Sequence, residues 1–252
     1  MSSAIWTPAA LASELNEHQG RAWRFVEAQH KVSTLKLVDD LAEQELLEQI
    51  VEETKPAIPT ECQGLDYLLA TPFRYRAFYP SGSRFRRSGF TPGVFYAAER
   101  EETAAAEIVF YRFLFHAESP DTPWPSDAAE YSAFAVELAT DAALDLTRPP
   151  LDRNEVLWCH LTDYSACQAL ADAAREAGAK IIRYRSVRDP ARGTNLAVLT
   201  CSVFAAPAPT QRNTWRIRIG AKGAQAIREF PALGLEFKLA DFQSDERLKP
   251  LA

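Results

Sequence analysis

Residues 82–107 read GSRFRRSGFTPGVFYAAEREETAAAE, and the order of residue types in this stretch decides how the chain folds. A turn-rich loop comes first, and a short apolar strand over 93–98 follows it. The alanine-rich stretch that comes next predicts a helix over 102–116. The stretch therefore predicts a loop–strand–helix unit, and its loop carries three clustered arginines: Arg84, Arg86 and Arg87.

Side chains of three chemical kinds meet in this unit. An arginine of the loop can bind a diphosphate through two parallel hydrogen bonds, which a lysine copies poorly. Tyr96 lies in the strand and offers an aromatic face to a flat base. Glu107 lies one turn into the predicted helix, where the positive helix end favours an ionised carboxylate. These groups suit a ligand with a diphosphate, a flat base and a sugar that becomes positively charged.

The rest of the chain predicts more strands than helices. A second helix of the main domain is predicted over 164–177, closed by Gly178. Because strands dominate and do not alternate singly with helices, the pattern favours an α+β fold over a doubly wound sheet. The further predicted strands are 74–79, 133–139, 156–160, 180–185, 196–204, 214–219 and 234–239.

The N-terminal segment has a helical pattern. Thr7, followed by proline, is typical of an N-cap, and it predicts a short helix that ends near Gly20. An amphipathic helix follows over 40–55, ahead of a proline-containing linker. We therefore predict an N-terminal helical extension over 1–60 and a main domain over 61–252.

The composition is ordinary for a globular protein, with 47% hydrophobic and 25% charged residues in 252 positions. A net charge of -6 argues against a general affinity for nucleic acid, so no direct nucleic-acid partner is expected. The N-terminus lacks the pattern of a signal peptide, and no stretch approaches the ~20 apolar residues of a membrane span. We expect a cytoplasmic protein with no membrane partner.

Cysteines and histidines are dispersed in a way that does not favour a metal site. A structural zinc site needs closely spaced ligands, and no CxxC pair occurs. We therefore expect no metal cofactor, and buried free thiols in a reducing compartment. The four cysteines are Cys62, Cys159, Cys167 and Cys201.

The ordered motifs resemble the RES family, which is named for its Arg, Glu and Ser signature. Arg84 with the following phenylalanine is similar to the family's Gly-x-Arg-Phe element. Tyr96 and Glu107 stand eleven positions apart, as the family tyrosine and glutamate do. Farther on, IIRYRSVRDPARGTNLAVL supplies Ser186 and Asn195, which resemble the third motif. The flanking sequences look like the longer branch of the family.

Two residues compete for the position of the motif arginine. The spacing in short family members favours Arg86, which precedes Tyr96 by ten residues. The Arg-Phe dipeptide favours Arg84, which precedes Tyr96 by twelve. We take Arg84 as the motif arginine and keep Arg86 as the alternative.

The resemblance implies an ADP-ribosyltransferase-like fold of two packed, mostly antiparallel sheets with a cleft for NAD. It further implies a toxin that cleaves the nicotinamide–ribose bond of NAD, as a glycohydrolase or phosphorylase, and depletes cellular NAD. Its implied partner is a helix-turn-helix (Xre-like) antitoxin, and self-association of the chain also fits.

Each motif residue has an implied role at that cleft. Glu107 stabilises the positive charge on the ribose, and Arg84 or Arg86 binds the diphosphate. Tyr96 stacks on the nicotinamide or hydrogen-bonds to the ribose. Ser186 donates to the nicotinamide amide or the ribose hydroxyls, and Asn195 braces the loop at the cofactor.

Two other functions stay open at this point. One is a mono-ADP-ribosyltransferase that transfers ADP-ribose to a host protein, because the same residues serve and only the acceptor differs. The other is a non-catalytic module that binds a nucleotide or an antitoxin.

Overall fold

The computed structural model describes residues 6–28, 37–75, 82–89 and 91–251. Its helices are α1 (Pro8–Ala12), α2 (Leu41–Glu53), α3 (Tyr67–Arg74), α4 (Glu101–Glu118), α5 (Glu155–Trp158) and α6 (Ser165–Glu176). Its strands are β1 (Asn16–Glu27), β2 (Phe95–Ala98), β3 (Ala129–Asp145), β4 (Ile181–Arg185), β5 (Thr194–Val198), β6 (Gln211–Gly220), β7 (Gly223–Arg228) and β8 (Leu233–Lys238). The predicted mixed α+β class is confirmed.

All eight of these strands belong to one hydrogen-bonded sheet in the order β1-β2-β5-β4-β3-β6-β7-β8. Strand β1 also pairs with β3, so the strands β1, β2, β5, β4 and β3 close a ring. Among the described strands, only the β3–β4 pair is parallel, which confirms the antiparallel character. The expected two packed sheets occur instead as one hydrogen-bonded sheet, because the long strand β3 pairs with β1, β4 and β6 and makes the hydrogen bonding continuous.

Helix α4 packs on this sheet, and its first residue, Glu101, anchors it there. Strand β6 alternates strictly between buried and exposed side chains, and its buried face includes Trp215 and Ile217. Phe110 and Phe113 of α4 belong to the same buried cluster. The Glu101 carboxylate accepts hydrogen bonds from Asn213 and Trp215 of β6 and pairs with Arg228 of β7. This anchor fixes the helix that carries Glu107.

Most predicted elements of the main domain are confirmed. Strands overlap the predicted 93–98, 133–139, 180–185, 196–204, 214–219 and 234–239, although β5 ends at Val198 and Cys201–Val203 form a 3-10 helix. Both main-domain helices occur as α4 and α6, and Gly178 follows α6 with a φ of 82°. Helix α4 begins at Glu101, however, so Glu107 lies nearly two turns inside it and beyond the first turn that the helix dipole favours.

The predictions for 156–160 and the N-terminal segment are partly wrong. Residues 156–160 include α5 instead of a strand, since Trp158 and its neighbours form a helical turn. Helix α1 has the predicted Thr7 cap but ends at Ala12, and β1 then joins the central sheet. The 1–60 segment is therefore not a purely helical extension, although α2 forms with Asp40 as its cap. Beyond residue 75, the predicted strand 74–79 lies outside the described residues, and residue 74 belongs to α3.

The expectation that all cysteines are free thiols is wrong for one pair. Cys62 and Cys201 form a disulfide, because two short 3-10 helices bring their Cα atoms within 5.3 Å. Cys159 and Cys167 are free. Within the described ranges, no helix combines the length and apolar character needed to cross a membrane, and no group of metal-ligating side chains is found.

Candidate functional site

A cavity of about 300 Å³ opens beside the loop–strand–helix unit. Its wall is formed by β1, the loop over 82–89, β2, α4, the residue that precedes α6, β4, β5 and the loop that follows β4. The ionisable and polar side chains on the wall are mostly arginines and tyrosines, with one carboxylate. They are Arg24, Ser83, Arg84, Tyr96, Glu107, Tyr111, Tyr164, Tyr184, Arg188 and Asn195.

One oxygen of Glu107 is held by two donors. Ser186 Oγ and Asn195 Nδ2 each donate to Glu107 Oε1 at 2.6 Å. The second oxygen, Oε2, has no hydrogen-bond partner among the described residues. The structure therefore brings three of the predicted site residues together and leaves one carboxylate oxygen of Glu107 open to a ligand.

Ser186 contacts Glu107 rather than the cavity. Its side chain is buried, and its hydroxyl oxygen accepts the backbone N–H groups of Arg188 and Asp189 at 3.2 and 2.9 Å. A carboxylate accepts only, so the single hydroxyl proton of Ser186 is directed to Glu107. In this structure Ser186 thus positions the carboxylate, and the predicted donation from Ser186 to a ligand is not what the geometry provides.

The loop after β4 is packed tightly against α4. Asp189 Oδ2 accepts hydrogen bonds from the Thr103 hydroxyl of α4 and from the Gly193 N–H. A Cβ atom on Gly193 would lie 2.1 Å from Thr103 Oγ1, so the loop approaches the helix as only glycine allows. This packing fixes the distance between Ser186 and Glu107.

Tyr96 joins β2 to the arginine loop. Its hydroxyl lies 2.9 Å from Ser83 Oγ and accepts the backbone N–H of Phe85 at 3.0 Å. Burial of this hydroxyl raises the pKa of Tyr96, so the phenol stays neutral near pH 7. Tyr96 is also one of the residues that line the cavity.

The two candidate arginines of the loop lie in different places. Arg84 lines the cavity, donates to the carbonyl oxygen of Trp158 at 2.7 Å and lies over the ring of Tyr164 at 4.8 Å. Arg86 does not line the cavity, and its guanidinium donates to the carbonyl oxygens of Tyr75 and Thr91. The geometry therefore favours Arg84 as the residue that meets a ligand.

A second arginine, Arg24 of β1, shares the cavity wall with Arg84. It donates to the carbonyl oxygen of Tyr96 at 2.7 Å and lies over the ring of Phe95 at 5.1 Å. Burial lowers the pKa of Arg24 to about 10. Neither Arg24 nor Arg84 has an ion pair with a described carboxylate. A buried cation, Arg84, and a partly buried one, Arg24, without a counterion among the described residues make this part of the cavity suited to an anionic ligand.

Arg188 differs from these two, because it is paired with a carboxylate. It forms a buried ion pair with Asp245, which also binds Arg247, and it lies over the ring of Phe110 at 4.0 Å. The segment that follows β8 thus holds one arginine of the cavity wall in place.

Arg24 and three tyrosines were missed by the sequence reasoning. Arg24 was missed because the short N-terminal helix was extended to Gly20 and no strand was predicted after it, although Trp23, Phe25 and Val26 are of types enriched in strands. Tyr111 lies one turn after Glu107 on α4, a spacing that a helical wheel could have shown. Tyr164 and Tyr184 reach the cavity through the fold, and their local sequence carries no signal.

Comparison with known proteins gives the chain a family. No curated protein matches it. Among solved structures, one that is similar is a chain of the M. tuberculosis MbcT–MbcA toxin–antitoxin complex, with 17% identity and a TM-score of 0.45. That match covers 80% of this chain and 90% of that chain. The RES domain matches residues 58–219, which include the arginine loop, Tyr96, Glu107, Ser186 and Asn195, and the chain therefore belongs to the RES domain family.

Proposed function

We propose that the chain is a toxin-type enzyme that cleaves the nicotinamide–ribose bond of NAD and so depletes cellular NAD. The observation that carries this proposal is Glu107, a carboxylate with one braced oxygen and one open oxygen, in a cavity that also presents two arginines without counterions. Membership in the RES domain family supports the same reading.

The open oxygen of Glu107 fits the charge that develops in this reaction. The nicotinamide of NAD is a pyridinium cation, and its ring nitrogen takes both electrons of the glycosidic bond when it leaves. The ribose then carries an oxocarbenium-like positive charge. A fixed carboxylate beside that charge lowers the barrier, because the charge interacts more strongly in a partly buried site than in water.

An oxygen nucleophile completes the reaction. Water or inorganic phosphate forms a new bond to the anomeric carbon, and water loses its proton as the bond forms. The Oε2 atom of Glu107 is the oxygen placed to orient this nucleophile or accept that proton. The products are nicotinamide and either ADP-ribose or its 1-phosphate.

The other wall residues fit the remainder of NAD. Arg84 and Arg24 offer guanidinium donors for the diphosphate, and the negative charge of the diphosphate balances these two cations. Tyr96 and the neighbouring tyrosines offer aromatic faces to the nicotinamide ring. We include in the proposal a helix-turn-helix antitoxin as partner, since a cytoplasmic enzyme that destroys NAD needs an inhibitor in its own cell.

The test is release of nicotinamide. Purified chain is incubated with NAD, with and without phosphate, and free nicotinamide is followed by chromatography. We expect release by the wild type, a large loss in Glu107→Gln, and no loss in the matched control Glu102→Gln. Glu102 lies on the same helix, pairs with Arg100 and does not line the cavity.

Labelled NAD distinguishes the acceptors in the same experiment. Label recovered as ADP-ribose or ADP-ribose 1-phosphate supports the proposal, whereas label transferred to a polypeptide favours a mono-ADP-ribosyltransferase. If NAD binds but no nicotinamide is released under either condition, the enzyme proposal fails and a non-catalytic binding module replaces it.

A further inference from the structure

The side chain of Asn195 has one satisfied end and one unsatisfied end. Asn195 lies on β5, is only 3% exposed and lines the cavity. Its amide orientation is determined by chemistry, because the carboxylate of Glu107 can only accept and must therefore face the NH₂ group. The carbonyl oxygen Oδ1 consequently points elsewhere, and it has no partner in the described part of the chain.

An unpaired buried carbonyl oxygen is costly, so it needs an explanation. Other buried side-chain atoms lack a partner within the described ranges, on His18, Arg86, Arg112 and His116. None of those residues lines the cavity, whereas Asn195 does. The position of Asn195 Oδ1 therefore points to a donor supplied by a ligand.

Two acceptor atoms without partners in the described part of the chain belong to neighbouring side chains of this wall. They are Glu107 Oε2 and Asn195 Oδ1, on side chains that a 2.6 Å hydrogen bond joins. Two neighbouring acceptors are complementary to two neighbouring donors, and the hydroxyls on adjacent carbons of a ribose are such a pair. A ligand with a single donor would leave one of the two acceptors unpaired.

We infer that Asn195 is a specificity-determining residue that recognises the cis-diol of the ribose whose bond is cleaved, with its Oδ1 accepting the 3′-hydroxyl. This inference rests on the proposed function, because that function places Glu107 at the anomeric carbon. The adjacent 2′-hydroxyl then donates to one lone pair of Glu107 Oε2 and leaves the other for the nucleophile, and the 3′-hydroxyl, one carbon farther, donates to Asn195 Oδ1. The chemical class selected is a ribonucleotide with both hydroxyls free at that sugar.

The test compares NAD with its analogue that lacks the 3′-hydroxyl on the nicotinamide ribose. For the wild type, kcat/KM for nicotinamide release is expected to be on the order of 10- to 100-fold lower for the analogue, because Asn195 Oδ1 then stays unpaired. In Asn195→Ala the ratio of the two kcat/KM values should fall toward one. If Asn195 only braces Glu107, both values drop together and the ratio is unchanged, which would overturn the inference.

Asn213→Ala is the matched control. Asn213 is also buried, and its amide also donates to a glutamate of α4, Glu101, but it does not line the cavity. Its replacement should leave the wild-type discrimination between NAD and the analogue intact. A collapse of the ratio in Asn213→Ala would show that loosening α4 is enough, and would count against a direct contact with Asn195.

Equilibrium binding separates this inference from the proposed function. Calorimetry on the wild type alone, with NAD and the 3′-deoxy analogue, needs neither turnover nor a stable variant. If the wild type releases no nicotinamide but binds NAD at least about tenfold more tightly than the analogue, the proposed function fails and recognition of the hydroxyl stands. Equal affinity for both ligands, together with equal turnover where turnover occurs, rejects the inference.

Discussion

Two glutamates of the same helix, six residues apart, differ in how many of their carboxylate oxygens the protein binds. Glu101 at the start of α4 is buried, and its carboxylate is met by an indole N–H, an amide and a guanidinium. Glu107 is only half-buried, and its two hydrogen bonds both fall on one oxygen. Both residues hold the side-chain amide of an asparagine from the sheet. The difference is that both oxygens of the Glu101 carboxylate accept hydrogen bonds from the protein, whereas only one oxygen of Glu107 does so among the described residues.

This comparison separates a structural carboxylate from a reactive one. A carboxylate whose oxygens are all bonded has nothing left to offer a ligand, and its removal exposes an unpaired partner inside the protein. A carboxylate braced on one oxygen keeps a fixed direction and still has a free acceptor. We therefore expect substitutions at Glu101 to change stability and substitutions at Glu107 to change activity.

The largest effect is expected for Glu107→Gln. Loss of the negative charge removes stabilisation of the oxocarbenium-like state, and we expect kcat for nicotinamide release to fall by about 10³-fold or more. Because the glutamine side chain keeps nearly the same shape, the free energy of unfolding in urea should change by less than about 1 kcal/mol. A variant that loses activity only in proportion to its loss of folded protein would contradict the role assigned to Glu107.

The second effect is expected for Glu101→Gln, which has the opposite profile. The substitution leaves the Arg228 guanidinium beside Trp215 without its counter-charge, and breaking such a buried pair costs about 3 kcal/mol or more of unfolding free energy. Activity per folded molecule should stay close to that of the wild type. Urea unfolding followed by tryptophan fluorescence gives the first value, and nicotinamide release at low temperature gives the second. Retained stability with lost activity would reverse our assignment.

The parts of this site that could be predicted from the sequence are those in which local order carries the information. Strand β2, helix α4 and the helix that ends before Gly178 follow from apolar periodicity and from a glycine with positive φ. Tyr96 and Glu107 lie within that local unit, so their place on one cavity wall was predictable. Ser186 was predicted from the motif, but its contact with Glu107 could not be predicted, because it joins positions 79 residues apart.

The parts that could not be predicted depend on contacts between distant stretches. Strand β1 pairs with β3 more than a hundred positions away, and the polar residues at its start were predicted as the end of the first helix. Arg24 reaches the cavity only because of that pairing. The disulfide between Cys62 and Cys201 joins positions 139 residues apart, and no local spacing in the sequence predicts it. The open oxygens of Glu107 and Asn195 likewise depend on the exact arrangement of three elements.

A third, smaller effect distinguishes the two arginines of the loop. Arg84→Lys removes the planar guanidinium group beside the cavity. We expect KM for NAD to rise about tenfold, because a lysine ammonium cannot make the two parallel hydrogen bonds to a diphosphate that a guanidinium makes. Arg86→Lys alters donors to two backbone carbonyls outside the cavity and should leave KM within about twofold. Steady-state kinetics on both variants decides between them. A larger rise in KM for Arg86→Lys would move the diphosphate site to the other side of the loop.

The smallest effect lies at the far end of α4, in its last turn, where His116 is buried and stacked on the ring of Trp124. Burial lowers the pKa of His116, so its imidazole binds a proton less readily in the folded chain than in the unfolded chain. The unfolded state therefore binds more protons below about pH 6.5, and the free energy of unfolding falls as pH falls through that range, by at most about 1.4 kcal/mol per pH unit for one group. In His116→Phe the slope of unfolding free energy between pH 7 and pH 5 should be smaller than in the wild type, as urea titrations at several pH values would show. An unchanged slope would mean that His116 takes up its proton in the folded chain as easily as in the unfolded one, and that the end of α4 is open to water in solution.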